Sequence, residues 1–344
     1  MVAEETKATK ELAAQSTVFN LSAWAKNRVD AKRKRKGLGE LTPRENSPYR
    51  MLATYGLTVG IAKTLFAPLD RLRILSQVRH MSSVAAKERV TGSSMANMNK
   101  IISEQGVWSL WRGNNANIYR NFLMLSLQVS VYDKIKHAWM PNNAATYSGA
   151  DYYMRLALSA CCNMGLTAAL AYPLDLINTR IASDMSKTGQ PRLFKTTFDC
   201  FNRTNIDEGF RAGLYKGLEL SIAAAAIRSL LALPLYDAVR NQSSSFSQFG
   251  FDKIGVSMFT SLIMSLVVYP LDTAKRCMQL NGAKGHFTLY KGSVDCLSQL
   301  ARQGGAPVFY RGVHIYAIKE FMVAMVQLSL YDTMFSQRSK QGEE

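Results

Sequence analysis

The chain has 344 residues, with 42 Lys and Arg against 25 Asp and Glu, a net charge of +17, and 47% hydrophobic residues. Its mean hydropathy of −0.08 suits a soluble protein of two domains, and its charge admits two kinds of partner, nucleic acid and anionic lipid. Five cysteines without metal-ligand spacing and four scattered histidines argue against a disulfide framework, a zinc site or a catalytic triad, so neither enzyme chemistry nor a cofactor is expected.

Residues 1–48 form a basic N-terminal extension that carries the run Lys32-Arg33-Lys34-Arg35-Lys36 and the early acids Glu4, Glu5 and Glu11. The run alone would permit a nuclear or nucleic-acid role, but no nucleic-acid fold accompanies it, and nucleic acid is not expected as a partner. The acids speak against a cleaved import presequence. The extension has the composition of a disordered tail, and it is also an arm on which a protein partner could dock.

From about Tyr49 to Arg79 the pattern predicts a long helix bent at Pro68, because proline lacks a ladder donor and clashes with the preceding turn. Gly56, Gly60 and Thr64 form a stripe of small residues along it, inviting close approach of another helix. The stretch Pro68-Leu69-Asp70-Arg71-Leu72-Arg73 puts an acid and a base on one helix face. A lone copy reads as a surface ion pair, but the stretch returns as Pro173-Leu174-Asp175 and Pro270-Leu271-Asp272. Each copy ends an apolar run, and Ile254–Leu271 is uncharged over about eighteen residues, close to the length of a bilayer core.

Short amphipathic helices follow near Met95–Glu104, Phe198–Asp207 and Val294–Arg302, and then a second marker, Trp111-Arg112-Gly113, Tyr215-Lys216-Gly217 and Tyr310-Arg311-Gly312. Further helices run from about Asn114 to Lys136, Leu218 to Arg240 (with Pro234 inside) and Val313 to Phe335. Each ends in a third marker, at Tyr132-Asp133, Tyr236-Asp237 and Tyr331-Asp332. Three tandem repeats result, 49–145, 146–247 and 248–338, with a tail at 339–344. Helices around a polar pathway keep polar residues inside, which explains the low mean hydropathy.

With these markers in one order, residues 49 to about 338 resemble the mitochondrial carrier family. Glu104-Gln105-Gly106 and Glu208-Gly209 are similar to its acid-glycine element, which Arg302-Gln303-Gly304 lacks. The resemblance implies an all-α membrane protein of the inner mitochondrial membrane. Six tilted transmembrane helices form a pseudo-threefold bundle around a solute pathway, with short helices on the matrix side. It implies a matrix gate pairing Asp175 with Lys275 and Asp272 with Arg73, with Asp70 facing the uncharged Asn178. On the cytoplasmic side Asp133 would pair with Arg240 and Asp332 with Lys136, leaving Asp237 opposite Phe335. Gly92, Gly113, Gly217, Gly292 and Gly312 either permit turns or open helix N-termini to lipid phosphates, cardiolipin being the implied lipid.

Lys63, Arg120 and Lys319 match basic substrate-contacting positions in the adenine nucleotide and coenzyme A branch, with Asn121 and Glu320 beside them. Interhelical pairing is the alternative role for these cations. Ala224 and Ala225 would leave room for a flat base, and Arg228 is an extra cation of unassigned facing. The expected function is exchange of an anionic, phosphate-bearing nucleotide or cofactor by alternating access. The alternative is a degenerate carrier-like structural subunit within a larger respiratory-chain type complex.

Overall fold

A computed structural model describes residues 48–81, 94–139, 149–186, 191–243, 253–283, 286 and 288–341. Repeat 1 comprises α1 (Pro48–Leu65), α2 (Ala67–Val78), α3 (Ser94–Gln105) and α4 (Asn114–Trp139). Repeat 2 comprises α5 (Gly149–Ala182), α6 (Thr197–Glu208), the short α7 (Phe210–Leu214) and α8 (Leu218–Ser243). Repeat 3 comprises α9 (Lys253–Leu280), α10 (Ser293–Gly304), the short α11 (Ala306–Phe309) and α12 (Val313–Gln341). The long helices thus form three pairs, each linked through a short helix, and α12 packs on α1 and α2 to close the ring.

The prolines act differently in the three repeats. Pro173 and Pro270 lie inside continuous helices, whereas the first helix is interrupted at Phe66, between α1 and α2. Pro68 has no N–H to give Thr64, and the freed Thr64 carbonyl accepts instead from the Trp111 indole at 2.8 Å. In repeats 2 and 3 a tyrosine precedes the proline. Tyr172 donates to the Lys216 carbonyl and stacks on Tyr215, and Tyr269 donates to the Arg311 carbonyl at 2.9 Å and stacks on Tyr310.

The short helices have local reasons to start where they do. The Thr196 hydroxyl accepts from the Asp199 N–H, and Asp199 accepts in turn from the Lys195 N–H. That second bond, with Arg203, holds the Asp199 carboxyl below its ordinary range. Asp295 accepts from the Lys291 N–H in the same way at α10.

The apolar core lies at the end that carries the short helices, and every cluster draws on more than one repeat. Leu72, Leu75 and Ile101 of repeat 1 pack with Met185 and Ile315, and Ile177, Phe194 and Cys200 of repeat 2 pack with Ala116. The repeat 3 cluster, around Cys277, Cys296 and Leu300, takes in Ile74, Val78, Ala182 and Leu220. No repeat buries its own face alone.

The outer faces of the long helices are apolar and exposed. Leu57 and Ile61 on α1, Tyr119 and Phe122 on α4, Leu166 and Leu170 on α5, Ile222 on α8, Val267 on α9 and Ile318 and Phe321 on α12 all point outward. An apolar belt of that extent on every long helix is a lipid-facing surface. Met154–Ala182 is long and apolar enough to cross a bilayer on its own composition.

The small-residue stripe behaves differently from its expected role. A Cβ on Gly56 would lie 3.2 Å from the Phe122 ring, so α4 does approach there, but Gly60 and Gly165 face open space with nothing within 4 Å. Among the stripe glycines, only Gly56 sits against a neighbouring helix.

Candidate functional site

Where the proline-bent helices converge, three carboxylates form a ring. Asp175 lies 3.0 Å from Lys275 Nζ and 3.5 Å from Arg120 Nε. Asp272 has three cations around it: Arg228 at 2.8 Å, Lys275 at 3.8 Å and Arg73 at 3.9 Å. Arg73 stops short of a close pair because its guanidinium lies over the Tyr316 ring, 4.0 Å from the centroid, with Tyr269 at 5.3 Å.

Asp70 departs from expectation. Rather than facing Asn178 without an ion pair, it accepts from Lys319 Nζ at 2.9 Å. The physical reason is that a buried carboxylate needs a cation, Asn178 supplies none, and the long side chain of Lys319 reaches in from α12. Asn178 lies instead against Gly113, its Oδ1 2.8 Å from where a Cβ on that glycine would be.

A polar layer that sequence reasoning missed lies next to this ring. Gln279 donates to Asp175 Oδ2 at 3.0 Å and accepts from Thr179 at 2.6 Å, Arg276 donates to Thr179 at 3.1 Å, and Gln77 donates to Thr273 at 3.1 Å. Each bond ties one repeat to the next. The signal was present as glutamines seven residues after Asp70 and Asp272.

One turn away from the ring, the predicted cations divide into two kinds. Arg120 donates to Asn117 Oδ1 and Asn121 Oδ1 at 3.3 and 3.4 Å, and Asn121 turns its amide to the Asn117 carbonyl at 2.6 Å. Lys319, fully engaged, pairs with Glu320 at 2.6 Å as well as with Asp70. Lys63 differs: it lies within the fields of Lys319, Arg120, Glu320 and Asp70, yet no hydrogen bond or ion pair joins its ammonium to any described residue. Ala224 and Ala225 are buried, and one turn on from Ala224 the side chain of Arg228 extends to Asp272. Arg228 is thereby assigned a partner.

Three of the predicted glycines are fixed by packing. Gly113, Gly217 and Gly312 have φ of 87°, 79° and 77°, a region costly for other residues. Each presses on the bent helix of the following repeat. An added Cβ would lie 3.1 Å from the Asn178 carbonyl, 2.9 Å from Met278 Cβ and 3.1 Å from Ser76 Cβ respectively. Gly292 caps α10 with open space around it, and Gly92 lies outside the described residues. The side chains of Asp133, Asp237, Arg240 and Asp332 also lie outside them, while Lys136 sits 5.8 Å from the Tyr132 ring.

Beyond the polar layer, two buried arginines anchor the short helices. Arg71 donates to the carbonyls of Ser109, Asp184 and Ala182 and to Gln105 Oε1. Arg180 holds Glu208 bidentately at 2.5 and 2.9 Å, with Lys216 on the same carboxylate at 2.6 Å. Burial alone would raise the Glu208 carboxyl, but Arg180 and Lys216 outweigh it and hold the group below its ordinary range. Among the described residues no group of His, Cys, Asp and Glu is disposed to hold a metal ion.

The arrangement suits capture and release of an anion rather than bond chemistry: cations converge inside a ring of breakable ion pairs at the meeting point of three homologous helices. A family model described as mitochondrial carrier protein matches residues 44–143, 150–245 and 249–340. The chain is 30% identical over 279 residues to ADP/ATP translocase 2 of Tachyglossus aculeatus aculeatus, covering 80% of this chain and 93% of the relative. It is 30% identical over 284 residues to ADP/ATP translocase 3 of Homo sapiens, covering 81% and 94%. A mitochondrial substrate carrier family protein of Dictyostelium discoideum, ancA, is 28% identical over 284 residues, covering 80% and 89%.

Proposed function

The chain belongs to the mitochondrial carrier family, as a multi-pass protein of the inner mitochondrial membrane with six membrane helices in three repeats, and on that premise we propose that it exchanges an anionic, phosphate-bearing nucleotide or nucleotide-containing cofactor by alternating access. The observation that carries this reading is Lys63, a cation on α1 that the fields of Glu320 and Asp70 reach but that makes no hydrogen bond or ion pair with any described residue. An ammonium without a direct counter-ion inside a membrane bundle is costly, and a solute anion is the partner that removes the cost.

The charge balance supports a polyvalent solute. Lys63, Arg73, Arg120, Arg228, Lys275, Arg276 and Lys319 outnumber Asp70, Asp175, Asp272 and Glu320 around the ring and the residues one turn from it. The surplus of three positive charges matches a di- or triphosphate better than a monocarboxylate, and arginines favour phosphate through paired donors. The likeness to ADP/ATP translocases points to the same class.

In this reading Asp70, Arg73, Asp175, Lys275 and Asp272 form the matrix gate, closed in the arrangement described, with Asn178 as its uncharged member. Asp133, Lys136, Asp237, Arg240 and Asp332 form the opposite gate. Gly92, Gly113, Gly217, Gly292 and Gly312 flank the lipid sites, with cardiolipin as the lipid, and residues 1–48 offer a docking arm to a protein partner.

The test is uptake into liposomes of labelled ADP, ATP and coenzyme A by the purified protein. Uptake of at least one is expected, with Lys63→Gln lowering it at least tenfold, a loss of about 1.4 kcal/mol in solute stabilisation. Absence of uptake for every nucleotide and cofactor tried, together with co-purification in a large inner-membrane assembly, would establish the structural-subunit alternative instead.

A further inference from the structure

We propose that Lys319 is shared between gate and solute site, so that an arriving anion opens the first repeat by competing with Asp70 for this one ammonium. The inference rests on the functional reading above and deepens it by naming how solute occupancy reaches the gate.

Lys319 is almost fully buried and donates to Asp70 at 2.9 Å. It is also one of the cations that converge on Lys63. An anion held by Lys63 and Lys319 therefore claims a proton donor that Asp70 already uses. The three donors of this ammonium already serve two carboxylates, Glu320 at 2.6 Å as well as Asp70, so a solute oxygen must displace one of them, and the competing oxygens repel each other.

The asymmetry among the three gate acids makes the competition specific to repeat 1. If Arg120 turns to a solute, Asp175 keeps Lys275 at 3.0 Å. If Arg73 leaves, Asp272 keeps Arg228 at 2.8 Å. Asp70 has no such reserve, because the residue three past the repeat 2 acid is Asn178, not a lysine or arginine. The other cations whose fields reach Asp70 are Lys63, the solute's own anchor, and Arg73, which lies between the Tyr316 ring and Asp272 rather than within ion-pair distance of Asp70. Loss of Lys319 leaves Asp70 a buried anion beside an incoming anion, and outward displacement of α2 relieves both.

The test uses the full-length protein in mild detergent with inorganic tripolyphosphate as the probe, a polyanion whose binding does not depend on recognising a base. Affinity is read from the concentration dependence of the thermal unfolding midpoint. Asp70→Asn, nearly isosteric, removes the competitor and is expected to tighten tripolyphosphate binding about tenfold, the worth of one charge-assisted hydrogen bond. Asp70→Asn/Lys319→Gln leaves no buried ring acid without its cation, the other partner Glu320 being 40% exposed at its side chain, so it folds even where Lys319→Gln alone does not, and it is expected to lose the whole gain. Binding in Asp70→Asn no tighter than in the unmodified protein would overturn the proposal. So would a gain that persists in the double variant, or an equal gain in Asp175→Asn, which loses the same negative charge but leaves the Lys319–Asp70 pair in place and would mark a general effect of charge. The outcome is separable from the uptake assay: a tripolyphosphate gain that depends on Lys319, without uptake of any nucleotide, would leave the shared cation standing and remove the transport reading.

Discussion

In repeats 2 and 3 a tyrosine stands before the bending proline, its hydroxyl held by a carbonyl of the following loop and its ring stacked on a second tyrosine. In repeat 1 Ala67 takes that place, the helix breaks at Phe66, and Trp111 supplies the missing donor from the other side, to Thr64. The short helices are anchored in equally different ways. Repeat 2 uses Arg180, five residues past Asp175, on Glu208. Repeat 1 has Leu75 at that position and anchors through Arg71 to Gln105. Repeat 3 has Cys277 there and Gly304 where the acid would be, the residue before the capping Gly305 as Glu208 is before Gly209, and closes the same gap with apolar packing of Cys277 on Cys296 and Leu300. Base and acid were lost together in repeat 3. The three repeats preserve a position and an interaction across a gap, not the residues that make it.

The sharpest way to break this comparison is Glu208→Ala. It leaves Arg180, which is 2% exposed, as a buried unpaired charge, and should destabilise the protein by about 3–5 kcal/mol, read as a fall in unfolding midpoint in detergent. Arg302→Ala, an exposed position on the matching short helix of repeat 3, should change stability by no more than about 0.5 kcal/mol. Equal effects would mean that the anchors are not equivalent.

Next in size is Ala67→Tyr, which imposes the repeat 2 solution on repeat 1. Ala67 is buried and Trp111 already fills the neighbouring space, so overpacking should cost about 1–3 kcal/mol. Trp111→Phe and Tyr269→Phe each remove one donor from a backbone carbonyl, and each should cost about 1 kcal/mol. Were Trp111→Phe silent while Tyr269→Phe is not, the indole would be no substitute for the tyrosine.

Much of this architecture was legible in advance. The three long helices after the Trp/Tyr-basic-Gly marker begin at Asn114, Leu218 and Val313, because a glycine with positive φ immediately precedes each and fixes its start. The short helices extend only a residue or two past their expected ends, since their apolar periodicity sets them. What the pattern could not supply was partner choice. Spacing places Asp70 and Asn178 on matching helices, but it does not report that Lys319, on another helix 249 residues away in sequence, is long enough to replace a missing base. Arg228 was visible as a charge and not as a contact, since its partner Asp272 is 44 residues further along. Stripe residues such as Gly60 and Gly165 looked like contact points because small size permits approach, yet permission does not bring a neighbour.

The interruption at Phe66 has a mechanical consequence. A rod transmits force along its length only while it is stiff, and α5 and α9 run unbroken through their prolines. Any tilt at their inner ends must therefore swing their far ends too. The first helix is divided by one non-helical residue at the corresponding place, so a tilt of α2 is carried into α1 through that single residue and the backbone bonds that flank it. Of three otherwise similar levers one is made in two pieces, and it is the one whose acid depends on a lysine borrowed from α12.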